Sequence, residues 1–289
     1  MRVVSLLPSA TEIVYALGAQ DDLVGVSCDC DHPAVVADKP VVSRTALEIS
    51  SGSSPGDVDR MVRERLETAD SIYSVDRELV QRLRPDVILA QDLCRVCAVP
   101  SGDVEEALSA LGCTAEVVSL DPRTLDDVID SIATVGAALG VPERAAAVVA
   151  GLRARLDRVR DAVRGKPRPR VVVLEWADPP FAGGHWIPDM VEIAGGCDVL
   201  AEPGQTSRTV TWAEIAEAAP DALVYAPCGY DLDEARAQLP ALLEVDAFRN
   251  LPPVRSGAVC AVDSSAYFSR PGPRLVDGVE ILAGLLHPS

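Results

Sequence analysis

The chain has 289 residues, with 44 Asp and Glu against 26 Lys and Arg, a formal charge of -18, and 48% hydrophobic residues. That length and apolar content suffice for one large domain or two medium ones with real cores. The acidic balance disfavours nucleic acid and anionic lipid as partners, and no apolar run approaches the roughly 18 residues that would span a bilayer, so membrane insertion is not expected.

Val3 to Leu7 reads as a first strand, and Ser9-Ala-Thr-Glu12 as a capping box that opens a helix running to Leu17, with Gly18 as its stop. Leu23 to Val26 is a second strand, Val41 and Val42 a short third, Asp86 to Ala90 a fourth, and Glu116 to Ser119 the last of this half. Glu48 to Val75 opens rich in Ser and Gly and becomes a charged helix near Val58 to Thr68. Thr124 to Arg164 carries long helical periodicity, interrupted only at Gly140-Val141-Pro142, and ends in the basic run Lys166-Pro-Arg-Pro-Arg170. It reads as one broken helical connector.

A second half repeats the grammar of the first. Arg170-Val-Val-Val-Leu174 echoes Arg2-Val-Val-Ser-Leu6, Ala219-Pro220-Asp221 echoes Arg84-Pro85-Asp86, and Ala194-Gly195-Gly196 echoes Leu17-Gly18-Ala19. Strands alternating with helices predict an α/β fold. The expectation is two Rossmann-like lobes with parallel sheets, joined by a long backbone helix, with a ligand cleft between the lobes. The boundaries fall at 1–122 for the N-terminal lobe, 123–166 for the connecting helix and 167–289 for the C-terminal lobe.

In such sheets, ligands sit outside the carboxyl ends of the strands, so the residues just after each strand are the site candidates. Cys28-Asp-Cys30 and Cys94-Arg-Val-Cys97 each come directly after an apolar run. Four thiolates from two loops would suit zinc or an iron-sulfur cluster. The alternatives are small buried hydrophobes or a labile disulfide. His32 comes after the first pair, and Asp92 is the one acid placed in the cleft. The start of the first helix, around Ser9, would offer amides to an anion or amide oxygen. In the second half, His185 and Trp186 lie in a Gly-rich loop, where the imidazole could ligate a metal and the indole could stack on a planar ligand. Tyr230 comes after Cys228-Gly at the same rim. Ser264, Ser265, Tyr267, Phe268 and Arg270 come after the strand Ala258 to Val262 and should face the cleft, with Arg270 a partner for a ligand carboxylate, amide or phosphate. No G-x-S-x-G, G-x-x-x-x-G-K-[ST], H-E-x-x-H or G-x-G-x-x-G occurs, and nothing assembles a nucleophile, base and orienter. A non-catalytic role is expected.

Ser5-Leu-Leu-Pro8-Ser-Ala-Thr-Glu12, Val24-Gly-Val26 leading to Asp31-His-Pro33, Leu83-Arg-Pro85-Asp86, Trp176-Ala-Asp-Pro-Pro-Phe181 followed by Gly195-Gly196, and Phe268-Ser-Arg270 with Pro273-Arg274 occur in this order along the chain. Together these stretches resemble the class III, helical-backbone solute-binding proteins of ABC transporters, in the branch that binds iron chelates and cobalamin (vitamin B12), and they imply that the cobalt of a corrinoid is a candidate partner for His185. The resemblance covers nearly the whole length. It implies a corrinoid or iron-chelate ligand, contacted near His32, Thr45, Gln91, Trp176, Ser207 and Arg270, and delivery to an ABC permease if the chain is exported. Several first-lobe positions that are aromatic in exported vitamin-binding proteins are polar here. The start at Met1-Arg-Val-Val, with no signal peptide before it, points to the cytoplasm; a chain trimmed of its export signal, periplasmic or an extracellular lipoprotein, would begin the same way. The competing expectation is a cytosolic metal-binding or iron-sulfur redox or sensor protein that uses Cys28, Cys30, Cys94 and Cys97 on the same fold.

Overall fold

The structure, a computed structural model, describes residues 1–48, 53–68, 72–92, 102 and 114–288. The chain forms two compact units: Met1–Pro122 with Ile129–Ala150, and Arg123–Val128 with Gly151–Ser289.

Six strands of the first unit form one sheet: β1 (Val3–Ser5), β2 (Leu23–Ser27), β3 (Val41–Thr45), β4 (Tyr73–Val75), β5 (Val87–Ala90) and β6 (Glu116–Ser119). Their order is β4-β3-β2-β1-β5-β6. β1 and β5 are buried along their whole length, as parallel strands covered on both faces must be. β4 was not expected; it pairs antiparallel with β3, so the sheet is mixed rather than all parallel. Gly25 in β2 leaves room for the helix Arg77–Leu83. A Cβ there would lie 2.8 Å from Val42 Cγ1 and 2.9 Å from Leu83 Cδ1.

The second unit has β7 (Arg170–Ala177), β8 (Pro180–Ala182), β9 (Cys197–Asp198), β10 (Arg208–Thr209), β11 (Ala222–Tyr225) and β12 (Val259–Ala261). The order is β10-β8-β7-β11-β12, with β9 also paired to β7. This sheet is mixed too, because the short β8 and β10 run antiparallel. Its core gathers Val172, Leu174, Leu223, Tyr225, Phe248 and their neighbours.

The repeated sequence grammar has a shared physical cause. The backbone N–H of Arg2 donates to Asp86 Oδ2 at 2.7 Å, and that of Arg170 to Asp221 Oδ2 at 2.8 Å. Each Asp returns its own N–H to the carbonyl of the same Arg, at 2.7 and 2.8 Å. The residue two before each Asp, Arg84 or Ala219, is left-handed, with φ of 46° and 42°. Both guanidiniums then donate to carbonyls of the preceding helix end, Leu83 in one unit and Ala218 and Ala219 in the other. An Arg at a strand start and a Pro-Asp before the neighbouring strand therefore form one clamp, used once per unit.

The stretch expected as one broken helical connector is two helices, Leu125–Ala138 and Pro142–Val163. At the turn between them the backbone of Gly136 lies close to Ala145, where a Cβ would stand 2.3 Å from that of Ala145. Pro142–Val163 is the long helix. Arg144 pins its start to the carbonyls of Leu17 and Gly18 in the first unit. Arg155, further along, pairs with Asp277 and Glu280 in the second.

Candidate functional site

The carboxyl ends of β7, β11 and β12 carry the most developed rim. β7 ends in Trp176 and Ala177, and the turn after β11 brings up Tyr230, so that the Trp176 and Tyr230 rings meet with centroids 5.6 Å apart at 55°. The indole N–H of Trp176 donates to the carbonyl of Asp178 at 3.1 Å, which orients the ring. The N–H of Ser265 donates to the carbonyl of Tyr230 at 3.0 Å, tying the turn to the short helix Ser264–Tyr267 after β12. Tyr267 lies under the Arg274 guanidinium, 5.7 Å from its ring centre. Burial, then the charge of Glu234, pushes the Tyr230 phenol up, while a hydrogen bond with Gln238 partly offsets both. Tyr230 therefore stays a protonated donor rather than a phenolate. Ser207 joins this rim by donating its hydroxyl to the carboxylate of Glu175. Arg270 is half-buried and already engaged.

Several candidates turn inward. Phe268, expected to face the ligand, is 1% exposed, because its own carbonyl accepts the indole N–H of Trp186 at 2.7 Å and the pair closes the core. Trp186 is an anchor rather than a stacking platform. Ser264 is buried as well, donating to the carbonyl of Ala226 at 2.9 Å. His185 is held in a left-handed conformation, φ 53°, with its N–H on the carbonyl of Gln205 at 2.6 Å. Its Nε2 is buried and makes no hydrogen bond, and burial, followed by the charge of Arg123, lowers its pKa. A neutral ring results, closed off from solvent at that nitrogen. Gly184 lets the 205–207 segment lie on this loop, since a Cβ would stand 2.3 Å from the Ser207 nitrogen.

The first unit's rim is small and polar. Ser9 is not an N-cap but an interior residue of the helix Pro8–Ala16, whose first turn is taken by Pro8 and whose cap position is Leu7 with no side-chain bond. Ser9 is 2% exposed and Gln91 3%, so neither presents a surface to a ligand. Beneath them, the Thr11 hydroxyl donates to Ser5 Oγ at 2.9 Å and lies 3.2 Å from Cys30 Sγ. That contact points the Cys30 thiol into the unit. Cys28 is half-buried, its thiol donating to Asp29 at 3.4 Å, and burial above all raises its pKa. Both are free thiols. Asp29 accepts the phenol of Tyr73 at 2.6 Å. His32, Thr45 and Asp92 are exposed. Asp92 is linked to the end of β6 through its N–H to Asp121 Oδ1 and the Ser119 hydroxyl. Cys94 and Cys97 lie outside the described residues; among the described residues, no three His, Cys, Asp or Glu side chains are grouped to hold a metal. No described helix is long and apolar enough to cross a membrane.

Glu175 is the residue the sequence reading missed. Its signal was there: it is the one charged side chain inside the run Val171–Ala177.

Comparisons with known proteins agree on one family. The sequence matches the periplasmic binding protein family over residues 3–266. It is 29% identical over 292 residues to the cobalamin-binding protein of Halobacterium salinarum, covering 99% of this chain and 69% of that one. Against an uncharacterized ABC transporter substrate-binding lipoprotein of Bacillus subtilis it is 26% identical over 298 residues, covering 99% and 80%. The crystal structure of a periplasmic heme-binding protein from Pseudomonas aeruginosa superposes with a TM-score of 0.72 at 25% identity, covering 100% of this chain and 93% of that one. The chain belongs to the periplasmic binding protein family, whose members hold a substrate without transforming it.

Proposed function

We propose that the chain is the substrate-binding component of an ABC importer for a corrinoid, with cobalamin as the first candidate. The observation that carries the reading is the half-buried Trp176 and Tyr230 pair at the strand ends of the second unit. Large rings held by hydrogen bonds give a planar macrocycle a contact surface at low entropic cost. The name of the Halobacterium relative supports the same ligand. Trp176, Tyr230, Tyr267 and Ser207 are the proposed contacts on this unit. The relatives' names, periplasmic or lipoprotein, support a working place outside the cytoplasmic membrane, where a permease would receive the ligand.

Equilibrium dialysis of the chain against cyanocobalamin, with corrin absorption read on both sides, tests the reading. Retention of corrin at one per chain is expected. Failure to retain it, with uptake of haem or a ferric chelate instead, would move the assignment to iron.

A further inference from the structure

The last residue of β11, Tyr225, is fully buried, and its hydroxyl donates to Gln238 Oε1 on the helix Leu232–Leu243. A buried phenol needs such a partner. With the carbonyl oxygen of Gln238 taken by Tyr225, the group left at the other end of the amide is the NH2, a donor. That end meets Tyr230: the two side chains are hydrogen-bonded, and the bond pulls the Tyr230 phenol down against the push of burial. An N–H donated to a phenol oxygen has that sign, because it favours the charged form. The other ties of Tyr230 are made by its backbone, whose N–H donates to the Pro227 carbonyl at 3.2 Å and whose carbonyl accepts from Ser265 at 3.0 Å. Glu234 is occupied in the capping box that starts the helix, taking the Asp231 N–H at 3.0 Å, and acts on Tyr230 through its charge. The backbone thus places Tyr230 beside Trp176, and Gln238 reaches its phenol end.

We infer that Gln238 is a positioning residue of this rim: held by the Tyr225 hydroxyl, its amide donates to the Tyr230 oxygen, so that the Tyr230 proton is left to a hydrogen-bond acceptor of the ligand. The inference rests on the proposed corrinoid reading and deepens it, since the carboxamides around a corrin ring offer carbonyl oxygens for that proton. A lone phenol both donates and accepts; one whose oxygen already takes an N–H from the protein is biased toward donating, and a chain of bonds running one way strengthens each member.

The test titrates the intact chain with cyanocobalamin by corrin absorption in four forms: the natural chain, Gln238→Glu, Tyr230→Phe and the double variant. Gln238→Glu keeps the shape and turns the donating end into an acceptor, which draws the Tyr230 proton inward. At about pH 8, where a carboxyl is ionised, it should weaken binding by about fivefold, the scale of one hydrogen bond, as Tyr230→Phe should. In the Tyr230→Phe background it should cost little more, because its effect runs through that hydroxyl. Lowering the pH toward about 5 protonates the new carboxyl, which can donate to Tyr230 again, so the gap to the natural chain should narrow. Tyr225→Phe, a milder second variant, frees the amide to turn and should cost about twofold, again only where the Tyr230 hydroxyl is present. Natural affinity in both Gln238→Glu and Tyr225→Phe, or a loss of the same size with and without the Tyr230 hydroxyl, would overturn the role of Gln238 and leave the corrinoid assignment standing. No uptake of cyanocobalamin by the natural chain would overturn the assignment and the inference with it.

Discussion

The strand ends of the second unit lead into Trp176, Tyr230 and Tyr267, each fixed by a neighbouring bond or ring, while those of the first lead into Cys28, Asp29, Thr45 and Asp92. The two sheets start from the same clamp, Arg2 with Asp86 and Arg170 with Asp221. In the first unit Ser5, Thr11 and Cys30 bond among themselves beneath the surface, while His32, Thr45 and Asp92 are exposed. In the second, Ser207 bonds to the half-buried Glu175. A planar, largely apolar ligand should gain most of its affinity from the aromatic side.

That contrast can be broken by substitution. Trp176→Ala should weaken cobalamin binding by about 30- to 100-fold, the scale of a central aromatic contact, with little change in Tm because the side chain is only partly buried. Thr45→Ala, at an exposed residue of the first unit, should change affinity by less than about threefold; isothermal titration of both variants would show whether the asymmetry holds. Trp186→Phe tests the anchor beneath the rim. Removing its N–H leaves the buried Phe268 carbonyl without that donor and should cost about 2 kcal/mol in urea unfolding.

A pH prediction sharpens the same unit. Asp198, near the start of the segment that reaches Ser207, accepts the N–H groups of Leu200 and Ala201 on one oxygen, while its other oxygen is buried and makes no hydrogen bond. Burial pushes its carboxyl up from 3.8 to about 6, against the pull of those two bonds. The native state thus holds this proton more tightly than the unfolded chain. Its contribution is fullest below about pH 4 and is lost as the pH rises through about 6, on the order of 2 kcal/mol. Asp198→Asn should flatten that slope in urea midpoints measured between about pH 4 and 6.5. In the first unit, Thr11→Val should cost about 1 kcal/mol, because Ser5 keeps its bond to the Leu7 carbonyl.

The central strands were legible because fully covered parallel strands are near-continuous apolar runs, as in Val87–Ala90 and Val171–Leu174. The internal repeat was legible because its clamp needs Arg, Pro and Asp at fixed places. Tyr73–Val75 escaped because a three-residue edge strand, none of it fully buried, has no such run. Ser9 misled because a Ser-x-x-Glu pattern signals a cap only when the chain is extended at that Ser, and here Pro8 starts the helix one residue sooner. Phe268 and Trp186 misled because position after a strand says that a residue is near the rim, not which way its side chain turns. Glu175 stood out as a lone charge in an apolar run, but the bulge that holds it leaves no period-two pattern to say which way it faces.

Amide hydrogen exchange with and without cobalamin addresses the central claim, that the second unit's aromatic rim holds the ligand. Slowed exchange over 175–180, 227–231 and 264–270 is the expected result. A complex that forms by corrin absorption yet leaves those segments unchanged would contradict it.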